Sequence, residues 1–288
     1  MIKYFILGGL LAAGPAVSRA DEPAVAADKS SYHLFNPVPT KLLRELNTDR
    51  PDKTESPFTV DAGHFQVELD FVSYTHNRDQ SGGDVRTDAF TIAPLNLKVG
   101  LLNQVDLQVV IETYNHVRVN DRMAGRVEKM SGFGDITTRL KVNFWGDEGG
   151  RTAFGILPFV KFPSNQDGLG NHAVEGGVIL PLAVELPGGW DLGLMTEVDC
   201  LRNDNGPGHH ASFVNSITMS HDLVGKLGGY IEFFSEVGTE HAAPWVGTVD
   251  LGLTYGLTKN VQLDAGVNLG VTKSADDLNP FVGLSVRF

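Results

Sequence analysis

The chain has 288 residues, of which 35 are acidic and 23 basic, for a formal net charge of −12. That balance excludes a nucleic-acid binder and a polybasic membrane anchor, and the single cysteine, Cys200, excludes an internal disulfide framework and a Cys-rich metal site. Hydrophobic residues make up 42%, too many for a disordered chain, no run offers ~20 apolar residues for a helical span, and 33 glycines point to β-structure with many turns.

Residues 1–20 read as a secretory signal peptide. Lys3 supplies the positive start, Tyr4 to Ser18 carries no charge, and Ser18-Arg19-Ala20 places small residues before a cleavage site at Asp21. Residues 21–57 do not alternate and hold five prolines, Pro23, Pro37, Pro39, Pro51 and Pro57. A short helix is expected around Thr40–Leu46. The segment is either a periplasmic tail or a plug folded into a lumen.

Residues 58–288 count in twos. Val249, Leu251, Leu253, Tyr255 and Leu257 alternate with Asp250, Gly252, Thr254 and Gly256, and Val261 to Val271 repeats the pattern. Such alternation means strands with one apolar and one polar face. Twelve segments are expected, near 63–76, 86–100, 105–119, 132–146, 152–164, 173–187, 190–203, 210–222, 226–239, 245–257, 261–273 and 278–288. Their ~10–15 residues suit tilted membrane-spanning strands. Short connections such as Gly188–Gly189 and Thr258–Asn260 alternate with longer ones such as Asn120–Ser131 and Asn165–His172. The predicted fold is an antiparallel outer-membrane β-barrel of about twelve strands, with short periplasmic turns and both termini on that side. A soluble β-sandwich also alternates, but its outer face would be rich in Lys and Glu, whereas this polar face is mostly Gly, Thr, Asn, Gln and Asp. The last strand ends in an aromatic residue, Phe288, which suits recognition by the barrel-assembly machinery. Phe144, Trp145, Trp190 and Tyr255 suit a periplasmic aromatic girdle.

Thr48-Asp49-Arg50-Pro51-Asp52-Lys53-Thr54-Glu55-Ser56-Pro57-Phe58, followed by Gly63-His64-Phe65-Gln66-Val67-Glu68, resembles the opening of the bacterial family called "putative MetA-pathway of phenol degradation". Gly132-Phe133-Gly134-Asp135 resembles a Gly-x-Gly-Asp that starts a later strand there. The resemblance runs from about residue 47 to 288. It implies an outer-membrane barrel with a role in uptake of phenol-like aromatic compounds, and it draws attention to Asp49, Arg50, Asp52, Lys53 and Glu55.

With the polar face inward, the lumen acids are Glu68, Asp70, Asp106, Glu112, Asp135, Glu185, Asp191, Glu197, Asp199, Glu232, Glu236, Asp250 and Asp264. The lumen bases are Lys98, Arg139, Lys141, Lys161 and Arg287. Arg139, Lys141 and Lys161 form a basic stripe on the fourth and fifth strands; Glu232, Glu236, Asp250 and Asp264 belong to an acidic stripe opposite. Opposed stripes set a transverse field across a channel. They could equally pair and fill the interior, since a twelve-stranded barrel is intermediate in bore.

No catalytic set is evident. There is no Gly-x-Ser-x-Gly turn, and Ser220-His221 are neighbours and so lie on opposite faces of a strand. His209-His210 in a predicted outer loop could bind a metal, but a lone His pair in a polar loop is ordinarily solvated, and Asn203-Asp204-Asn205-Gly206 is similar to a calcium loop without its closing Glu. Neither a cofactor nor a metal is expected. The reading that follows is a passive channel for small solutes in a bacterial outer membrane, with lipid, solute and assembly machinery as partners and no nucleic acid. A lipid-acting enzyme and a structural or adhesive barrel are the alternatives.

Overall fold

A computed structural model of the protein describes residues 28–79, 84–170, 172–204 and 206–288. The signal-peptide reading of residues 1–20 lies outside the described residues, and so does Asn205. No helix among the described residues is long and apolar enough to cross a membrane. The helix expected near Thr40–Leu46 is a single 3₁₀ turn at Thr40–Leu42.

Fifteen ladder segments build one antiparallel sheet: β1 (Phe65–Asp79), β2 (Val85–Ile92), β3 (Leu95–Leu102), β4 (Val105–Ile111), β5 (Tyr114–Asp121), β6 (Arg126–Gly132), β7 (Ile136–Trp145), β8 (Thr152–Phe162), β9 (Glu175–Leu186), β10 (Trp190–Arg202), β11 (His209–Val224), β12 (Leu227–Gly238), β13 (Trp245–Thr258), β14 (Val261–Gly270) and β15 (Leu278–Arg287). They make twelve strands, because β2–β3, β4–β5 and β6–β7 are each one strand broken in the middle. The lower half of β1 pairs with β3 and its upper half with β2. β4 then pairs with β7, and β5 with β2 and β6.

The breaks lie side by side. Pro94 has no N–H for the ladder, and Ala93 before it takes φ 52°. Opposite, the Thr113 hydroxyl has the carbonyls of Ile92 at 2.6 Å and Ala93 at 2.9 Å within reach of its single proton, a side-chain bond where the ladder is interrupted. The third break falls at Phe133-Gly134-Asp135. The expected loop Asn120–Ser131 is a correction: β5 runs to Asp121 and β6 starts at Arg126, so most of that stretch is a strand pair. Each face there mixes apolar and polar residues, Val127 with Lys129 on one and Met130 with Glu128 on the other, so no alternation shows.

β15 pairs with β1 from Gln66↔Arg287 to His76↔Leu278 and closes the cylinder. The seam ends in two backbone bonds, Phe288 N–H to the Phe65 carbonyl at 2.8 Å and Phe65 N–H to the Phe288 carbonyl at 3.4 Å. Closure leaves no open edge along the seam.

Burial is inverted relative to a soluble protein. The most buried side chains include Lys141, Gln108, Glu68, Glu232, Asp61, Asp106 and Asp250, while Phe71, Phe90, Phe162, Ile217, Ile231, Leu251 and Leu253 are exposed. Phe144, Trp145, Trp190 and Tyr255 all face outward near the short turns, as a girdle requires. Arginine placed on this outer face should therefore be costly. Leu251→Arg and Leu263→Arg are expected to destabilise the barrel by ~2–4 kcal/mol in lipid refolding titrations. Thr254→Arg, paired with inward-facing Asp264, should be tolerated.

Candidate functional site

The polar faces of the strands enclose residues 44–61, which enter from the end that carries the short turns, rise into the lumen, turn at Lys53-Thr54-Glu55 and return. The base of this inner segment is held by charge. Arg44 pairs with Asp61 at 3.2 Å and with Asp147 in the β7–β8 turn at 2.9 Å. Lys29 reaches Asp61 at 3.3 Å, and Arg287 reaches it at 3.6 Å. Asp147 also accepts from the Thr59 hydroxyl at 2.6 Å, and Asp106 accepts from the Val60 N–H at 3.0 Å.

Higher up, four charges of the segment, Asp49, Arg50, Lys53 and Glu55, meet their opposites on the wall. Asp49 sits between Lys98 and Lys141, 2.5 Å from each ammonium, and Lys98 also reaches Glu68 at 2.5 Å. Glu55 pairs with Arg139. On the other side, Arg50 bridges Asp264 and Asp70, 2.6 Å from each. Lys53 lies 3.1 Å from Asp250 and 4.5 Å from the centre of the Phe234 ring. Glu232 accepts the backbone N–H groups of Lys53 at 2.9 Å and Thr54 at 2.7 Å, as well as the Thr54 hydroxyl at 2.6 Å. The two opposed stripes are thus the two jaws of a clamp, and the filled lumen is the arrangement found.

Two glycines on the polar face make room for it. A Cβ on Gly283 would lie 2.1 Å from the Arg50 guanidinium, and one on Gly100 would lie 2.1 Å from the Asp61 carbonyl. Both positions need a residue without a side chain.

Not every expected lumen residue joins the clamp. Lys161 pairs instead with Glu175 at 2.5 Å, across β8 and β9. Glu236 accepts from the Ser212 hydroxyl at 3.2 Å and lines a smaller cavity of about 240 Å³ nearer the long loops. Among the described residues Asp52 has no ion-pair partner, and it lies close to Glu232. Phe288 lies at the seam with its ring exposed. Ser220 faces the lumen, while the His221 ring packs on Trp190 outside, so the two do not meet.

Sequence reasoning missed the base of the clamp, Arg44, Asp61 and Asp147, which sit outside the motif. It also missed an apolar patch inside the lumen. Leu157, Ile179, Met195 and Val214 are buried on the inner face, with Phe159 and Phe234 packed against them. The tip of the inner segment covers this patch, the Glu55 N–H pointing at the Met195 sulfur at 3.3 Å. Below the tip, a cavity of about 560 Å³ separates the segment from the wall of β8–β14, lined by Pro51, Asp52, Leu182, Asp191, Ser220 and Tyr230 among others.

This is a twelve-stranded barrel of outer-membrane type with a charged N-terminal segment locked in its bore. The chain belongs to the family described as "Putative MetA-pathway of phenol degradation", whose model matches residues 48–288. No curated protein matches the sequence. Among solved structures, the COG4313 outer membrane channel from Pseudomonas putida F1 superposes with a TM-score of 0.61 at 12% identity, over 84% of this chain and 100% of that one. The NanC porin superposes with a TM-score of 0.50 at 10% identity, over 77% of this chain and 98% of that one.

Burial pushes the Asp49 carboxyl up, but Lys141 and Lys98 outweigh it and hold it well below the usual range. Burial pushes Asp52 well above that range, and the Glu232 charge adds to it. Burial also raises Glu55, against the opposing charge of Arg139. Asp49→Asn would leave Lys98 and Lys141 facing each other, at a cost of about 3–5 kcal/mol to the docked segment. Amide exchange over residues 47–58 should then rise by about 10²–10⁴-fold. The pH dependence has a definite sign. A raised carboxyl favours the docked state below about pH 4 and withdraws that support as pH rises through its raised value. The Asp49 contribution is lost only in stronger acid, outside that window. Asp52→Asn should therefore tighten docking at pH 7 and flatten the pH dependence of exchange over 47–58.

Proposed function

We propose that the protein is a passive outer-membrane channel for small solutes, and that its inner segment controls the bore. The observation that carries this reading is the clamp itself. A barrel that only anchored loops or filled a membrane would not need a lumen whose wall pairs with Asp49, Arg50, Lys53 and Glu55 of an inner segment. The wall behind the tip is apolar where Leu157, Phe159, Ile179, Met195, Val214 and Phe234 gather, and polar around it. A bore of this kind suits solutes with an aromatic or aliphatic body and a polar edge, in keeping with the phenol-like class that the family's description suggests. The 560 Å³ cavity beside the segment has the size of a small-molecule site. Ser220 and His221 give the enzymatic alternative no support, because they stand on opposite faces of β11.

The clamp leaves the wall with a sign that bears on ion preference. Asp250 and Asp264 are neutralised by Lys53 and Arg50 while the segment is docked. The remaining wall charges are still acidic in excess, so the channel should prefer cations. Planar-bilayer recordings under a salt gradient test this. The unmodified protein should show small, cation-selective steps, and Asp49→Asn should show larger ones as the segment loosens. Proteoliposome swelling with phenol-sized neutral solutes should rise in parallel. Silence of both proteins in both assays would overturn the channel reading.

A further inference from the structure

The outer wall of β1, β2, β5 and β6 carries charge where the rest of the wall is apolar. Ladder register stacks its outward side chains in rows. Furthest from the short turns, Arg78 pairs with Arg86, which faces Asn120. The next row is His76, Asp88, Arg118 and Lys129. Below it come Tyr74, Phe90 and His116, and then Val72, Ile92 and Tyr114. Phe90, Ile92 and Tyr114 are exposed, and the Tyr74 and Phe90 rings lie 4.8 Å apart. Read downward, the rows are cationic, then mixed, then aromatic, then apolar. That sequence marks the passage from lipid headgroups to acyl chains. Successive rows are ~7 Å apart and the four strands span ~14 Å.

The acids in these rows are already committed. Asp88 holds Arg86, the Tyr74 hydroxyl and the His76 ring. Asp84, beside the patch, holds Arg78 and Arg122. Arg118 and Lys129, exposed and paired in register, have no acidic partner among the described residues. In a chain of net charge −12, cations gathered on one outward face stand out. Elsewhere the outward faces of the described strands carry one arginine, Arg202 at the end of β10. The patch also covers the end of the ladder, since among the described strands β6 pairs with β5 alone.

We infer that Arg118 and Lys129, supported by Arg78 and Arg86, form a binding site for the phosphate groups of the outer-leaflet glycolipid, and that the bound lipid braces the β5–β6 pair. The inference rests on the outer-membrane placement of the barrel. A protein or nucleic-acid partner fits less well, because these side chains point sideways from the wall just above an aromatic belt, into the headgroup layer. Phosphate oxygens accept charge-assisted hydrogen bonds from a guanidinium and an ammonium held on adjacent strands. Acyl chains of the same lipid would lie along Phe90, Ile92 and Tyr114.

The test uses the full barrel in detergent micelles, titrated with diphosphorylated lipid A, its monophosphorylated form and the dephosphorylated lipid, with binding read by native mass spectrometry. Affinity should follow phosphate number and fall with added salt. The double variant Arg118→Gln/Lys129→Gln should bind the diphosphorylated lipid about ten- to a hundredfold more weakly. Lys226→Gln, in a short turn at the opposite end, should bind as the unmodified protein does. Heat-modifiable mobility and single-channel conductance should be unchanged in the double variant, so a failed lipid site is distinguished from a failed barrel or channel. Equal binding of the phosphorylated and dephosphorylated lipids, or full binding by the double variant, would overturn the inference. The salt dependence of the unmodified protein decides the matter independently of any variant.

Discussion

The interior of this barrel depends on one buried carboxylate. Asp49 lies between Lys98 and Lys141, with side-chain exposures of 5%, 3% and 1%. Charges so far from water persist only as a set, because removing one strands the others. The two lysines stand on β3 and β7, on wall strands, while the aspartate arrives on a segment from outside the sheet. Wall and segment are therefore one electrostatic object. The next residue, Arg50, has the opposite sign and points to the opposite wall, where Asp70 and Asp264 wait. Two adjacent residues thus match the polarity of the whole bore.

That arrangement explains how so acidic a lumen holds together. Wall carboxylates at Glu68, Glu232, Asp250 and Asp264 each accept a bond from the inner segment or from a lysine it organises. Stability comes from pairing in the bore rather than from an apolar centre, with the hydrophobic surface given to lipid. The small apolar patch around Leu157 and Met195 is the exception. There the segment's tip adds packing, the Glu55 N–H contact to Met195 and the Lys53 ammonium over the Phe234 ring to its ion pairs.

Much of this was legible in the sequence, for a physical reason: a sheet with lipid on one side imposes a strict period of two. The twelve strands, the inward direction of Asp250, Asp264, Glu232, Arg139 and Lys141, and the outward direction of Leu251 and Cys200 all follow from it. The opposed stripes were visible as well, but not what lay between them, because alternation says which way a side chain points and not what it meets. The motif's own order of signs, Asp49, Arg50, Lys53, Glu55, was the available clue. Three features escaped for separate reasons. β6 mixes one apolar residue with charged or polar ones on each face, Val127 on one and Met130 on the other, and gives no periodic signal. Leu157, Ile179, Met195 and Val214 are apolar yet inward, against a rule that sends apolar residues to lipid. The strand breaks need cross-strand register, and only Pro94 announced one of them.

The seam at Phe65 and Phe288 has a consequence for the order of biogenesis. Arg50 binds Asp70 near the start of the sheet and Asp264 near its end, 214 residues away from itself in sequence. Those two carboxylates come together only when β1 meets β15 and β14 stands beside them. An unfinished sheet offers one of them or the other. The inner segment is made first by the ribosome, yet its full docking site exists last. It works as a keystone, set after the arch is complete, and a bore holding it in place is a barrel whose ends have joined.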